Sequence, residues 1–119
     1  MRGVAVGLAA AALLIACGGS TPTQPAGSTK VTLTEFKFDP SSLSVSHGKV
    51  VFWLVNVGTT QHDLAIRDSS GTILATSELV SVGDQKEFDV NDIAAGSYTI
   101  VCTQPGHEAS GMKGTLTVT

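Results

Sequence analysis

An eleven-residue stretch near the end of the sequence reads Cys102-Thr-Gln-Pro-Gly-His107-Glu-Ala-Ser-Gly-Met112. It places a thiol, an imidazole and a thioether close together along the chain. The sulfur atoms of cysteine and methionine are soft ligands that select copper among the first-row metals, and imidazole also suits copper. The stretch therefore predicts a soft-metal site in which one loop supplies most of the ligands.

The types of ligand in this stretch indicate that a second histidine is still missing from the site. A trigonal set of two histidines and one cysteine, with a weak axial methionine, is typical of blue-copper electron-transfer centres. The stretch supplies three of these four groups, and His62 is the candidate for the fourth. An inward-facing histidine is by itself more often a hydrogen-bonded structural residue, but its combination with the Cys-His-Met loop favours ligation. His47 lies in a Ser-His-Gly turn, where we expect it to be solvated.

Almost every segment after Lys30 has the pattern of a short strand. The segments are rich in β-branched and aromatic residues and are separated by Gly, Asn, Asp, Pro and Ser, as in a sandwich or small barrel. The apolar parity of the first segment changes, which predicts a β-bulge near Thr34–Glu35. The continuous apolar run Val50–Val55 should form the most buried strand. The predicted strands are Val31–Phe38, Lys49–Val57, His62–Arg67, Thr72–Leu79, Gln85–Val90, Ser97–Cys102 and Gly114–Thr119.

Side-chain parity directs two candidate ligands toward the core. Residues two apart on a strand share a face, so Cys102 points the same way as Tyr98 and Ile100. By the same count, His62 shares its face with Leu64. Both side chains should therefore lie at an end of the apolar core.

The N-terminal sequence has the features of an export signal. Arg2 precedes an apolar run over residues 4–16, which is shorter than the roughly 20 apolar residues needed to span a bilayer. The run ends in Leu14-Ile15-Ala16-Cys17, which resembles a bacterial lipobox. We therefore expect a lipoprotein signal peptide over residues 1–16 and a lipid-modified Cys17. Ordinary signal cleavage that leaves a soluble exported protein is the alternative.

The rest of the sequence divides into a linker and one domain. Residues 17–29 contain the lipid-anchor cysteine and a flexible linker rich in Gly, Ser, Thr and Pro, and residues 30–119 suffice for one small core. Without residues 1–16 the chain has six basic and ten acidic side chains, a formal charge of −4. An acidic chain with no basic cluster is not expected to bind nucleic acid. If Cys17 carries lipid, Cys102 has no disulfide partner, which favours metal ligation.

Two segments together resemble the cupredoxin family. Residues 56–63, Asn-Val-Gly-Thr-Thr-Gln-His-Asp, resemble the turn and strand start that carry the upstream copper histidine, and residues 102–114 resemble the ligand loop and final strand. The resemblance implies an all-β, cupredoxin-like Greek-key sandwich or barrel of about seven to eight antiparallel strands. It also implies one copper ion that cycles between Cu(I) and Cu(II). The implied strong ligands are His62, Cys102 and His107, and the implied weak axial ligand is Met112.

The spacing of the ligand loop and the residues beside the ligands differ in part from the family pattern. Four residues separate Cys102 from His107 and four separate His107 from Met112, a hybrid of the loops found in the family. Asp63 stands where the family often has Asn, and we expect its carboxylate to accept a hydrogen bond from the Thr103 hydroxyl. The backbone N–H groups of Asp63 and Gln104 are predicted to point at the Cys102 sulfur and to raise the reduction potential.

These predictions favour a membrane-tethered electron carrier, facing the periplasm or the outer cell surface. The expected partners are redox proteins such as a c-type cytochrome or a terminal oxidase, and the expected state is a monomer. His107 should reach the surface within an apolar rim of Pro105, Ala109 and Met112.

Three other functions are less consistent with the sequence. Copper storage or delivery is the main alternative. A copper enzyme would need more histidines than the three present, so we do not expect an enzyme. A domain of this family that binds no copper is disfavoured by the intact ligand set.

Overall fold

The computed structural model describes residues 21–119, which form nine strands and no helix. This part of the chain accordingly contains no helix that could cross a membrane. The predicted signal peptide and the predicted lipid-modified Cys17 lie outside the described residues. The strands are β1 Thr29–Thr34, β2 Lys37–Asp39, β3 Ser42–Val45, β4 Gly48–Asn56, β5 Ala65–Arg67, β6 Ile73–Thr76, β7 Gln85–Ile93, β8 Gly96–Val101 and β9 Lys113–Val118.

The strands form two sheets that pack into a sandwich, which confirms the predicted fold class. One sheet has the order β2-β1-β4-β7 and the other the order β3-β9-β8-β5-β6. The expected antiparallel pairing holds except at two places, since β1 pairs parallel with β4 and β3 pairs parallel with β9. Both sheets are therefore mixed, and there is one strand more than the seven to eight expected.

The segment predicted as the first strand, Val31–Phe38, contains most of a two-stranded hairpin. The prediction of a β-bulge near Thr34–Glu35 was therefore wrong. β1 pairs antiparallel with β2, with Leu33 opposite Phe38 and Thr34 opposite Lys37, so that Glu35 and Phe36 form the turn. Residues opposite each other in a hairpin share a face of the sheet. Leu33 and Phe38 are both buried. The change from odd to even apolar parity therefore marks a reversal of the chain.

β3 was not predicted, because half of its residues are serine and it is only four residues long. Its position depends on a distant partner, since Leu43 lies opposite Leu116 and Val45 opposite Val118 in β9. The predicted strand beginning at His62 starts only at Ala65 in the structure. His62 instead forms an isolated bridge with Val80.

The core lies between the sheets and is closed at one end by two loops. Phe52 of β4 stacks on Phe88 of β7 with ring centroids 5.9 Å apart, and most of the run Val50–Val55 is buried as predicted. The end of β8 pairs with both the start of β5 and the start of β9. The segments 57–64 and 102–112 consequently meet at the same end of the sandwich.

Candidate metal centre

Three of the predicted ligands converge where these two segments meet. The Cys102 sulfur lies 3.9 Å from Nδ1 of His62 and 3.5 Å from Nδ1 of His107. The two Nδ1 atoms are 3.2 Å apart. The ligand atoms of the three residues all lie within 4.8 Å of one another, as they would around one ion.

These separations fit a trigonal site. Bonds of roughly 2.0 Å to imidazole nitrogen and roughly 2.3 Å to thiolate sulfur, as in zinc sites, would separate the donors in a plane by about 3.5 Å (N to N) and about 3.7 Å (N to S). The observed separations differ from these values by a few tenths of an ångström. The donor set and its geometry therefore suit a soft metal such as copper.

A buried asparagine holds the segment that leads to His62. The Asn56 side chain donates to the carbonyl oxygens of Thr60 at 2.8 Å and Val80 at 2.9 Å, and accepts from the Gly58 N–H at 2.9 Å. The backbones of His62 and Val80 are hydrogen-bonded in both directions. His62 is completely buried, which agrees with the predicted inward orientation.

The ligand loop folds back so that its two ends meet. The Cys102 N–H donates to the carbonyl oxygen of Met112 at 3.1 Å, and the Met112 N–H donates to that of His107 at 3.0 Å. Gly106 has φ of +80°, a left-handed conformation that glycine adopts without a steric penalty. The Cys102 side chain faces the core, as parity predicted, and is buried.

Met112 is also fully buried, in contrast to its expected place on the surface rim of His107. Its backbone is fixed to both Cys102 and His107, and its side chain packs in the hydrophobic core. The loop turns Met112 inward because it immediately precedes β9. This burial is compatible with an axial ligand but not with a residue that meets a partner.

Asp63 connects the two ligand-bearing segments. Its carboxylate accepts the hydroxyl hydrogen of Thr103, as expected from the sequence, and also accepts the Thr103 backbone N–H at 2.7 Å. Asp63 is almost completely buried, so these two bonds satisfy a carboxylate that has little access to water. They fix the positions of residues adjacent to His62 and to Cys102.

The Cys102 sulfur lies in an environment that disfavours a free thiolate. Burial raises the pKa of the thiol, whereas hydrogen bonds from the backbone N–H groups of Asp63 and Gln104 lower it, and the Asp63 carboxylate raises it further. The net pKa is above the ordinary value. A coordinating metal would reverse this balance, because metal-bound thiols are deprotonated.

Glu35 contacts the site although nothing in the sequence indicated it. Its Oε1 atom lies 3.1 Å from Nε2 of His62, the ring nitrogen on the side away from Cys102. Partial burial raises the pKa of Glu35, but hydrogen bonds from Thr59 and Thr60 outweigh this effect and lower the pKa to about 2. The only sequence signal at this position was the change of apolar parity, which does not distinguish a turn from a bulge and does not indicate the contact with His62.

Phe36, the next residue, covers part of His107. The two rings meet edge to face with centroids 5.1 Å apart, and Phe36 is 40% exposed. His107 itself is partly exposed, and Pro105 and Ala109 beside it are exposed. Phe36 therefore takes the place of Met112 in the predicted apolar rim of His107, together with Pro105 and Ala109.

Comparisons with known proteins agree with this arrangement. A family model described as a cupredoxin-like domain matches residues 7–118. The chain is 33% identical over 93 residues to plastocyanin from Dryopteris crassirhizoma, with 70% of this chain and 88% of that protein covered. The solved structure of auracyanin B matches with a TM-score of 0.71 and 26% identity over 86% of this chain and 96% of that one. Auracyanin A, a "blue" copper protein from Chloroflexus aurantiacus, matches with a TM-score of 0.63 and 25% identity over 76% and 99%.

Proposed function

This chain belongs to the cupredoxin family, and we propose that it is a mononuclear type 1 (blue) copper protein that carries single electrons. The observation that carries the proposal is the convergence of the His62, Cys102 and His107 donor atoms in a trigonal arrangement. These three residues would hold one copper ion, and Met112 would be its weak axial ligand. When bound, copper supplies a one-electron couple between Cu(II) and Cu(I).

The surrounding residues are suited to electron transfer because they limit rearrangement. Asp63 fastens the His62 segment to the ligand loop, and backbone hydrogen bonds join Cys102, His107 and Met112 within that loop. The backbone of the proposed ligands is therefore fixed by contacts that do not involve the metal, which would limit rearrangement when copper changes its oxidation state. With copper bound, the N–H groups of Asp63 and Gln104 would reduce the electron density that the sulfur donates, which would favour Cu(I).

His107 is the proposed route by which electrons enter and leave. It is the partly exposed ligand, whereas His62 and Cys102 are buried. The apolar rim of Phe36, Pro105 and Ala109 would allow a partner to dock without desolvating charge. A c-type cytochrome or a terminal oxidase is the kind of partner we propose.

We further propose that the protein is exported and tethered to a membrane. The proposal rests on the sequence Leu14-Ile15-Ala16-Cys17 and on the polar linker that follows it. A diacylglyceryl group together with an amide-linked acyl chain would give the multiple anchoring that one fatty chain does not provide. The domain would then face the periplasm or the outer cell surface.

Substitution of each cysteine tests the site and the anchor together. With Cu(II), the wild-type protein should show an intense visible thiolate charge-transfer band, and Cys102→Ser should abolish it because a hydroxyl is a poor soft-metal ligand. Cys17→Ser is the matched control, which should keep the band but lose membrane association or remain an unprocessed precursor. A full band in Cys102→Ser would exclude the proposed site.

The copper content of the protein during redox cycling distinguishes electron transfer from the alternative of copper delivery. A carrier should cycle repeatedly between its oxidised and reduced forms with an unchanged copper content. A delivery protein should lose copper to an acceptor. With one proposed copper ion and three histidines in the sequence, we propose no catalytic activity for this chain.

A further inference from the structure

The Glu35 carboxylate is held behind His62 by a set of backbone and side-chain donors. Its Oε1 atom accepts from the Thr59 N–H at 2.7 Å, from the Thr60 N–H at 2.8 Å and from the Thr60 hydroxyl at 3.1 Å. The fourth contact to the same oxygen is Nε2 of His62 at 3.1 Å. Donors in the segment 59–62, which also contains His62, thus fix the position of the carboxylate.

This contact determines which nitrogen of His62 is available to a metal. An ionised carboxylate only accepts hydrogen bonds, so the ring proton must lie on Nε2. The lone pair on Nδ1 is then free, and Nδ1 is the atom that faces the Cys102 sulfur and His107. Partners of this kind commonly orient metal-binding histidines and raise their basicity.

The contact also places a negative charge behind the ligand. The Glu35 side chain is 25% exposed and His62 is completely buried, so the charge is only partly screened from the site by water. Cu(II) carries one positive charge more than Cu(I), and a nearby negative charge stabilises it more.

We propose that Glu35 is a positioning residue that selects the metal-binding tautomer of His62 and lowers the reduction potential of the centre. The inference rests on the proposed function, because it takes copper as the metal bound at Nδ1. It assigns to the β1–β2 turn a role in setting the potential that is separate from the four ligands.

Gly58 provides an independent way to test the contact. A Cβ atom at position 58 would lie 2.6 Å from Oε1 and 2.8 Å from Oε2 of Glu35, much closer than side chains approach one another. Gly58 therefore leaves the space that the carboxylate occupies. The Gly58→Ala variant should displace the carboxylate while retaining its charge, since the end of a flexible side chain moves more readily than the backbone.

The first experiment measures reduction potentials by voltammetry. Glu35→Gln keeps an oxygen that accepts from His62 but removes the charge, and should weaken Cu(II) relative to Cu(I) by about tenfold, which raises a one-electron potential by ~59 mV. Gly58→Ala should raise the potential by a smaller amount, and should have little effect when added to Glu35→Gln. Glu78→Gln is the matched control, because it removes an exposed carboxylate that does not contact a ligand. A potential for Glu35→Gln equal to that of the control would overturn the proposal.

The second experiment uses the metal-free protein and imidazole nitrogen NMR. In the wild type, the His62 ring proton should lie on Nε2, and in Glu35→Ala the two tautomers should become mixed. A wild-type His62 with its proton on Nδ1 would overturn the proposal. The two failures are distinguishable: a wild type without the charge-transfer band refutes the proposed function, whereas a blue wild type with unaffected variants refutes only the role of Glu35.

Discussion

Asp63 shows how a buried residue beside a ligand contributes to stability before any metal is bound. Its carboxylate accepts two hydrogen bonds from Thr103, one from the backbone N–H and one from the hydroxyl. Asp63→Ala leaves both donors without a partner and should lower the free energy of unfolding of the metal-free protein by about 1–3 kcal/mol. Thr103→Val removes only the hydroxyl, and urea unfolding should show a smaller decrease in the free energy of unfolding. Equal losses in the two variants would mean that the backbone bond contributes nothing.

Met112 offers a second test at the residue scale. Met112→Leu should keep copper and colour but raise the reduction potential, because a thioether donates weakly to Cu(II) and leucine does not. The two side chains are similar in volume, so the buried site should remain closed. Leu116→Met is the matched control in the same core, and it should leave the potential unchanged. Voltammetry that finds an unchanged or lower potential in Met112→Leu would contradict the axial role.

The individual residues also show where sequence reasoning succeeds and fails. His62 and Cys102 are buried as parity predicted, although both lie outside the strands of the structure and one chain neighbour of each is buried as well. Nothing in the sequence indicated the Glu35 contact, because its partners at positions 59, 60 and 62 are distant along the chain and a lone acidic residue does not indicate them. Met112 is buried and not on the surface rim, because it lies directly before β9, whose alternate residues Leu116 and Val118 also face the core.

Among the elements, the short turns and edge strands were the least predictable. A β-bulge and a tight hairpin both shift the apolar parity, and the sequence of β1 and β2 does not distinguish them. β3 is held by parallel pairing with β9, about seventy residues away, so that its own pattern is weak. The long strand β4 was predicted to within one residue at each end, because its middle, Val50–Val55, is a continuous apolar run.

The turn between β5 and β6 allows a prediction about pH. Hydrogen bonds from the Ser70 hydroxyl, the Thr72 N–H and the Ser70 N–H lower the pKa of Asp68 below its ordinary value of 3.8. A carboxyl whose pKa is lowered by folding stabilises the protein above its unfolded-state pKa, and this stabilisation is lost as the pH falls through the folded-state value. Urea unfolding of the metal-free protein should therefore show that Asp68→Asn is less stable than wild type near neutral pH. The difference should shrink below about pH 3.8, and a constant difference would contradict the assignment.

At the scale of the whole molecule, the exposed rim of His107 should control electron exchange between two copies. Ala109→Lys places a charge on this rim, so that two such surfaces repel each other and are harder to desolvate. Self-exchange measured by NMR line broadening at fixed ionic strength should become slower, with an almost unchanged visible spectrum. Ala95→Lys adds the same charge between β7 and β8, at the opposite end of the sandwich, and should not slow exchange. Equal rates in the two variants would mean that electrons leave by another face.

The two residues of the β1–β2 turn touch different imidazoles, Glu35 behind His62 and Phe36 against the edge of His107. Two adjacent codons, outside the ligand loop, would therefore influence both the proposed reduction potential and the surface that a redox partner meets. Substitutions at these two positions would leave all four proposed ligands unchanged. For the same reason, transplanting the turn into a related scaffold should change the reduction potential of that scaffold with fewer substitutions than rebuilding its ligand loop.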